Sequence, residues 1–418
     1  MKNRKAELAL LAAMAGLYFF SYFQRVAVPS SIFNEIQSGF GVSASAVTAL
    51  SSIYLYVYAA LQLFIGLVVD RYGAAKVILI FGLFLAAGSL LFPISGGIST
   101  LYLSRALIGF GASAMYLCSV KETDRLFNAR NFPVVFGIIC IIGYSGGLAG
   151  TSPFRKMVEC LGWQASLLIV GLASICTLAV AFVSWRIAKP EPPRIRLSAM
   201  GSLGTVMRNK LNYPIFIALP LVFAVYFVIQ ATIGAKFLQD VKGMTALDSA
   251  KCTFTMMLVT MTMLFLSGVI SRLLGNLRKP FLIGSCILNI LALIIMSAVT
   301  LLGGPSWVFV LSFIMMALAA GCTTVVVAAL KELNNPDTAV LSIGVQNTIS
   351  YIFVALFANS SGMILDMFRS SAKVSNGVIV YPGAAYLALF AILGTFSIIA
   401  LIFSFYLKET RGRIIEAI

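Results

Sequence analysis

The sequence predicts an all-α integral membrane protein, with twelve transmembrane helices in two six-helix bundles. Three observations predict it. The 418 residues are 60% hydrophobic and 11% charged, where a soluble globular protein carries roughly 25% charged residues. Apolar runs of about 20 residues, the length that crosses a bilayer, recur from end to end. One basic, proline-containing stretch divides these runs six and six. No polar stretch is long enough for a soluble domain, so the whole chain reads as one membrane unit.

The first span runs from about Glu7 to Phe33 and carries Arg25 and Pro29. The second, Ala44 to Val69, leads into Asp70-Arg71-Tyr72-Gly73, and the third runs from Ala75 to Phe92. The fourth, Thr100 to Leu126, holds Arg105 near its start and ends in Lys121-Glu122-Thr123-Asp124-Arg125. The fifth, Pro133 to Pro153, is glycine-rich, and the sixth runs from Trp163 to Trp185. Arg186 to Asn212 is the most polar stretch. Its Lys189-Pro190-Glu191-Pro192-Pro193 run opposes a continuous helix, and its charge keeps it out of the bilayer. The expected domains are thus an N-terminal bundle over residues 1–187, a cytoplasmic linker over 188–212, and a C-terminal bundle with a short tail over 213–418. Spans seven to twelve are Tyr213–Leu238, Leu247–Leu273, Pro280–Leu301, Ser306–Leu330, Ala339–Met367 and Tyr381–Leu407.

The net charge is +16. Its distribution marks topology and does not point to nucleic acid. With a cytoplasmic N-terminus, about 21 of the 30 basic residues fall on the cytoplasmic side, as the positive-inside rule requires. Both termini are then cytoplasmic, and the expected location is the cytoplasmic (inner) membrane. The first apolar run is too long for a signal peptide and reads as a retained span. The seven cysteines form no CxxC pair, and most lie within apolar runs, so they read as small core residues. The chain has no His, which excludes Ser-His-Asp and Cys-His catalysis. It also lacks a Gly-Lys-Ser/Thr phosphate loop. An enzyme, an ATP-driven pump, a metal site and a bound cofactor are not expected.

The halves read as a repeat. Gly41, Ser43, Gly66 and Gly73 align without gaps on Gly243, Thr245, Gly268 and Gly275. Gly111 and Lys121-Glu122 match Gly321 and Lys331-Glu332 at a nearly equal offset.

Gly66-x-x-x-Asp70-Arg71-x-Gly73-x-x-Lys76, between spans two and three, resembles the signature loop of the major facilitator superfamily. Arg105-x-x-x-Gly109-x-Gly111 resembles a second motif of that superfamily. The resemblance implies two bundles around a cavity that opens alternately to either side, with a site near the midplane. It implies gating roles for Gly66, Asp70, Arg71 and Gly73, with Arg125 as charge partner of Asp70. The second half departs from the pattern: in Gly268-Val269-Ile270-Ser271-Arg272 an Arg stands where the first half has Asp70, with no acid nearby.

Arg25 is the most informative single residue. It lies deep in span one, and Tyr18, Tyr22 and Arg25 share a helical face. No acid in the apolar centre of a span offers a clear partner. Snorkelling or pairing is one reading. The other is a cavity guanidinium that holds an anionic solute in a fork. Tyr22-Phe23-Gln24-Arg25 is similar to the organophosphate and organic-anion branches of the superfamily, some of which place a second Arg in span seven. Here span seven offers Tyr226 and Gln230 and no Arg, which leaves a monoanion or a zwitterion open.

Ser51, Tyr54, Tyr58 and Gln62 share a face of span two, facing either a cavity or a neighbouring helix. Arg105 is a cavity residue or an interfacial anchor. Lys121 and Lys331 suit gate or helix-end roles. Asn347, with Thr348 and Tyr351, hydrogen-bonds either a solute or another helix.

The expected function is secondary or facilitative transport of a small organic anion or zwitterion by alternating access, by a monomer in the lipid bilayer. Proton symport, exchange with a counter-transported solute and uncoupled facilitated diffusion all stay open. Arg25, Tyr22, Tyr54, Tyr58, Tyr226, Gln230, Arg105 and Asn347 are the binding candidates. Gly66, Asp70, Arg71, Gly73, Lys121, Arg125 and Lys331 are the gating candidates. A solute sensor without transport and an exporter of amphipathic compounds are the alternatives.

Overall fold

Helices dominate the computed structural model, which describes residues 4–128, 131–189, 201–375 and 377–415. The chain forms two compact units: Met1–Val42 with Ala49–Leu197, and Ser43–Thr48 with Ser198–Ile418.

The first unit draws on helices α1 (Arg4–Ala27), α2 (Phe33–Gly39), α3 (Ala44–Tyr72), α4 (Ala74–Leu91), α5 (Ile98–Ala112), α6 (Met115–Leu126), α7 (Phe132–Ala149), α8 (Ser152–Leu161) and α9 (Trp163–Ala188). α1 packs against α7 and α9, and α4 packs against α5 and α9. Glycines set these approaches. A Cβ on Gly146 would collide with the Phe19 carbonyl, and one on Gly143 with the Tyr18 ring. Small residues let membrane helices close on one another where no hydrophobic driving force acts between them.

The second unit comprises α10 (Gly201–Arg208), α11 (Tyr213–Val228), α12 (Gly234–Lys242), α13 (Ala246–Leu273), α14 (Lys279–Leu302), α15 (Ser306–Gly321), α16 (Thr323–Glu332), α17 (Pro336–Met367), a hairpin of β1 (Lys373–Ser375) and β2 (Val378–Val380), and α18 (Gly383–Ser404). The antiparallel hairpin pairs Val374 with Ile379. α11 packs on α17 and α18, α13 on α15, and α14 on α15 and α18.

Among the described residues, 11 helices are long and apolar enough to cross a membrane, or up to 12 if a bent pair counts as one span. The bent pair is α7 and α8, which meet at 45° in the expected fifth span. α7 stops at Gly150, and Pro153 opens α8, where its missing N–H is harmless. The Pro190–Pro193 part of the expected linker lies outside the described residues. Its C-terminal part is helical: α10 is followed by a 3₁₀ turn over Lys210–Asn212. Asn334 fixes this turn by accepting from Asn212 Nδ2 at 3.0 Å and donating to Asn212 Oδ1 at 2.7 Å.

The repeat positions perform the same local work in both halves. Gly41 and Gly243 both have φ +63°, and Gly73 and Gly275 have φ +86° and +73°. Glycine adopts that left-handed region without a Cβ penalty. Ser43 Oγ accepts from Ala46 N at 3.2 Å, and Thr245 Oγ1 accepts from Asp248 N at 3.1 Å. The two aligned residues therefore cap their helices alike. The cysteines divide: Cys118, Cys252, Cys286 and Cys322 are buried, whereas Cys160 and Cys176 are exposed. The expected core role thus holds for four of the seven. An apolar thiol needs no burial where the surroundings are lipid.

Candidate functional site

Arg25 sits within a cage of tyrosines in the first unit. It is 2% exposed. Its guanidinium carbon lies 4.5 Å from the Tyr22 ring centre and 4.5 Å from that of Tyr58. Its Nε donates to the Tyr54 hydroxyl at 3.4 Å, and that hydroxyl donates onward to Ser21 O at 3.2 Å. The spacing of Tyr54 and Tyr58 on α3 stacks their rings 6.2 Å apart. Ring faces attract a cation, so the cage offsets part of the penalty of a guanidinium away from water.

Arg105 lies on the other flank of Tyr54, 4.7 Å from its ring centre. It is fully buried, and its donors go to main chain: Nε to Leu50 O at 2.9 Å, Nη1 to Gln24 O at 2.8 Å and Nη2 to Val28 O at 3.3 Å. It therefore ties α5 to α3 and to the end of α1. Gly109 brings α5 flush with α3, since a Cβ there would stand 3.0 Å from Tyr54 Cα. Gly111 does the same toward α4, where its Cβ would stand 2.7 Å from Leu85 Cβ. The Arg105-x-x-x-Gly109-x-Gly111 spacing is thus a packing device that positions Tyr54. Of the two roles open to Arg105, this geometry supports an anchor.

The cage extends to residues that sequence reasoning did not select as binding candidates. Tyr144 meets Tyr22 edge-on at 4.9 Å, and Tyr18 contacts Tyr22 at 5.3 Å and Tyr116 at 5.9 Å. Tyr116 and Tyr144 stand alone among apolar residues, with no periodic partner to mark them. Their one signal is that Tyr144 lies between Gly143 and Gly146, the glycines that admit α1.

In the second unit, Tyr226 and Gln230 belong to an irregular helix. Pro220 interrupts the amide ladder of α11, and Asn289 Nδ2 donates to Val222 O at 3.1 Å. Between α11 and α12, Ile229–Ile233 form a π turn. Gly234 permits it, because a Cβ there would collide with Ile229 O. Gln230, on this turn, is 1% exposed, and its Nε2 has no hydrogen-bond acceptor among the described residues. π turns are frequent at functional positions, and a buried amide donor left open calls for an explanation. Asn347 is half-buried on α17, and its neighbour Gln346 donates to Ser350 Oγ at 2.8 Å.

Lys236 and Asp240, one turn apart on α12, form a buried ion pair at 2.7 Å, with side chains 0% and 2% exposed. Asp240 also accepts from Tyr386 OH at 2.6 Å and from Tyr381 N at 3.1 Å. Lys236 Nζ donates to Ile379 O in the hairpin. Asp240 thus joins Glu7 and Glu122 among the acids with buried side chains, a position its place near the end of span seven did not reveal.

The signature loop is built differently from the expectation. Asp70 pairs with Lys121 at 2.7 Å, not with Arg125. Arg125, one turn further on α6, reaches Glu122 at 2.6 Å and Glu7 of α1 at 3.0 Å. The two cations share a face of α6 one turn apart, and each pairs with the acid at its own level. A Cβ on Gly66 would meet Leu117 Cδ2 of α6 at an ordinary 3.8 Å, Gly73 caps α4, Arg71 extends over the Tyr72 ring, and Lys331 is exposed.

The second half does possess an acid beside its basic loop, contrary to the local sequence. Glu332, the repeat counterpart of Glu122, accepts from Arg278 Nη2 at 2.8 Å and Nε at 3.2 Å. Thr410 Oγ1 donates to the same carboxylate. Glu409 caps the start of α14 by accepting from Arg278 N at 2.9 Å and Lys279 N at 3.0 Å. These acids come from α16 and the C-terminal tail, remote in sequence from Arg272.

Two helical units with buried cations in membrane-length helices define a multi-pass membrane protein of a transporter fold. The sequence profile of the Major Facilitator Superfamily matches residues 14–359, and the chain belongs to that superfamily, a family of transporters and not of enzymes. A probable sulfoacetate transporter of Cupriavidus necator is 25% identical over 184 residues, 44% of this chain and 43% of that protein. Monocarboxylate transporter 4 of Mus musculus is 30% identical over 164 residues, 38% of this chain and 34% of that protein. The chain thus matches less than half the length of either relative. A POT family transporter in complex with 5-aminolevulinic acid superposes with a TM-score of 0.78 over 97% of each chain, at 13% identity. A bacterial homologue of the human lysosomal transporter Spinster, inward-facing and occupied, gives 0.76 at 16% identity over 94% of this chain and 95% of that one. Likeness at such identity establishes the fold.

Proposed function

We propose that this protein carries a small organic acid anion across the cytoplasmic membrane by alternating access, with both termini in the cytoplasm. The observation that carries the reading is Arg25: a guanidinium buried in a membrane-length helix and held by tyrosine rings. A guanidinium keeps its charge and offers paired donors that match a carboxylate or sulfonate. Tyr22, Tyr54 and Tyr58 shape that cation's surroundings, and Arg105 acts as the positioning residue behind Tyr54. Tyr226, Gln230 and Asn347 are the proposed binding residues of the second unit, where the open Gln230 amide is a neutral donor. One guanidinium with neutral donors favours carboxylates and sulfonates over phosphate dianions. The similarity to a probable sulfoacetate transporter and to monocarboxylate transporters supports the same class.

Gly66, Asp70, Arg71, Gly73, Lys121, Arg125 and Lys331 set the balance between access states. The carrier works as a monomer, coupled to protons or to a counter-transported solute. The test is counterflow of labelled sulfoacetate and labelled lactate in proteoliposomes, with and without Arg25→Ala. Uptake of either solute by the parent chain and its loss in the variant is the expected result. Arg25→Ala transport at the parental rate would sink the reading.

A further inference from the structure

Tyr18 is the hub of a ring cluster that an anion site alone does not explain. It is 3% exposed. Around it stand three rings that are only partly covered: Tyr22 of α1 at 5.3 Å, Tyr116 of α6 at 5.9 Å and Tyr144 of α7 at 6.4 Å. Tyr116 is the most open, at 41%. Gly143 makes the cluster possible, because a Cβ there would run into the Tyr18 ring. Tyr22 joins the cluster to Arg25: its ring centre lies 4.5 Å from the guanidinium carbon and 4.9 Å from the Tyr144 ring. All of these residues belong to the first unit.

Tyrosines of membrane proteins gather at the two interfaces, where water serves the hydroxyl and lipid the ring. Tyr18, Tyr116 and Tyr144 instead lie well inside their spans. A phenol that faces hydrocarbon there gives up its hydrogen bonds to water, so partly open rings at that depth suit a cavity that admits solute. Small-molecule sites are built this way, from aromatic walls and a few placed polar groups. A solute ring that packs edge-on or offset against Tyr116 and Tyr144 gains more than its buried area alone supplies. The guanidinium for the acid and the open rings beside it therefore match an anion with an aromatic group. They do not match a zwitterion. Arg25 and Arg105 both lie over the Tyr54 ring, at 5.7 and 4.7 Å, and an ammonium beside them would meet like charge. We propose that the solute held by Arg25 is an aromatic organic monoanion whose ring is selected by Tyr116 and Tyr144; this rests on the anion site proposed at Arg25.

Isothermal titration of the full chain in nanodiscs with lactate, 3-phenyllactate and phenylalanine tests this. Phenyllactate adds a phenyl group to the lactate methyl, and phenylalanine replaces the hydroxyl of phenyllactate by an ammonium. Phenyllactate should bind about tenfold or more tighter than lactate, and phenylalanine more weakly than phenyllactate. Tyr144→Leu and Tyr116→Leu should each shrink the phenyllactate-to-lactate affinity ratio about threefold or more. Tyr144→Phe, which keeps the ring, should retain the ratio. A ratio of affinities does not depend on how much of a variant folds. Equal affinity for the two acids in the parent overturns the proposal, as does a ratio that neither leucine variant changes. Phenylalanine binding as tight as that of phenyllactate overturns the choice of a monoanion. Lactate binding that needs Arg25 and gains nothing from the phenyl group removes the aromatic class alone and leaves the proposed function standing. Phenyllactate binding that survives Arg25→Ala at parental affinity removes the anion site and this assignment with it. Binding of neither acid overturns the aromatic class whatever the result with sulfoacetate.

Discussion

Asp70 and Lys121 meet at 2.7 Å with side chains 39% and 44% exposed. The ion pair of the signature loop is therefore a wet one. Exposed pairs contribute roughly 0–1 kcal/mol, so its place in the protein is not explained by stability. Asp70→Asn should leave the thermal midpoint within about 2 °C of the parent, as a change of that size implies, while altering the rate of solute uptake. A large fall in thermal midpoint with unchanged specific uptake would reverse this assignment.

Arg25→Lys is the more telling companion of Arg25→Ala. Lys keeps the charge but loses the planar fork and its stacking on Tyr22 and Tyr58. Solute affinity should fall about tenfold or more in both variants, the scale of a lost charged hydrogen bond. Isothermal binding or concentration-dependent uptake measures it. Parental affinity in Arg25→Lys would mean that only the charge matters.

Arg105→Lys should behave in the opposite way. The lysine cannot reach Leu50 O, Gln24 O and Val28 O together, so buried carbonyls lose donors at about 1–3 kcal/mol each. The expected outcome is a lower thermal midpoint, with near-parental solute affinity in the protein that remains folded. A selective loss of affinity at parental stability would place Arg105 in direct contact with solute.

Lys236→Met should destabilise the second unit by about 3–5 kcal/mol, because it strands Asp240 without its cation. The double variant Lys236→Met with Asp240→Leu should recover part of that loss, although Tyr386 OH then loses an acceptor. Denaturation in detergent reads both. Equal losses in the single and double variants would show that the pair's charge is not the issue.

Gly234→Ala isolates the π turn. The added methyl meets Ile229 O, so the turn must open or shift. Overpacking of this kind costs about 1–3 kcal/mol. Uptake should fall more than stability does, since Gln230 is displaced with the turn. The ratio of uptake to folded protein is the measurement.

Apolar run length made the spans legible, and Arg25 stood out because a cation deep in such a run is conspicuous. Gly41 and Gly243 were legible as repeat positions, and their equal φ shows that the match was stereochemical. Other features were hidden for identifiable reasons. Asp240 and Lys236 stand near the end of a span, where charges are ordinary, and only burial by Tyr381, Tyr386 and the hairpin makes them unusual. The partner of Arg278 lies on α16, 54 residues away, and spacing along one helix does not report such pairs. The π turn depends on Gly234, and an isolated glycine in an apolar run has many meanings. The Arg105 motif was legible as a pattern, but its three carbonyl partners become visible only when α1, α3 and α5 are folded together.

The glycine pair Gly41 and Gly243 has an evolutionary consequence. If the halves descend from one ancestral segment, their side chains have drifted so far that Asp70 now stands opposite Arg272, a reversal of charge. The sign of a backbone angle does not drift gradually: at φ +63° an L side chain is penalised in either copy. The two loops would thus have diverged in chemistry while remaining frozen in handedness. The oldest record of the duplication would then lie in residues that carry no side chain at all.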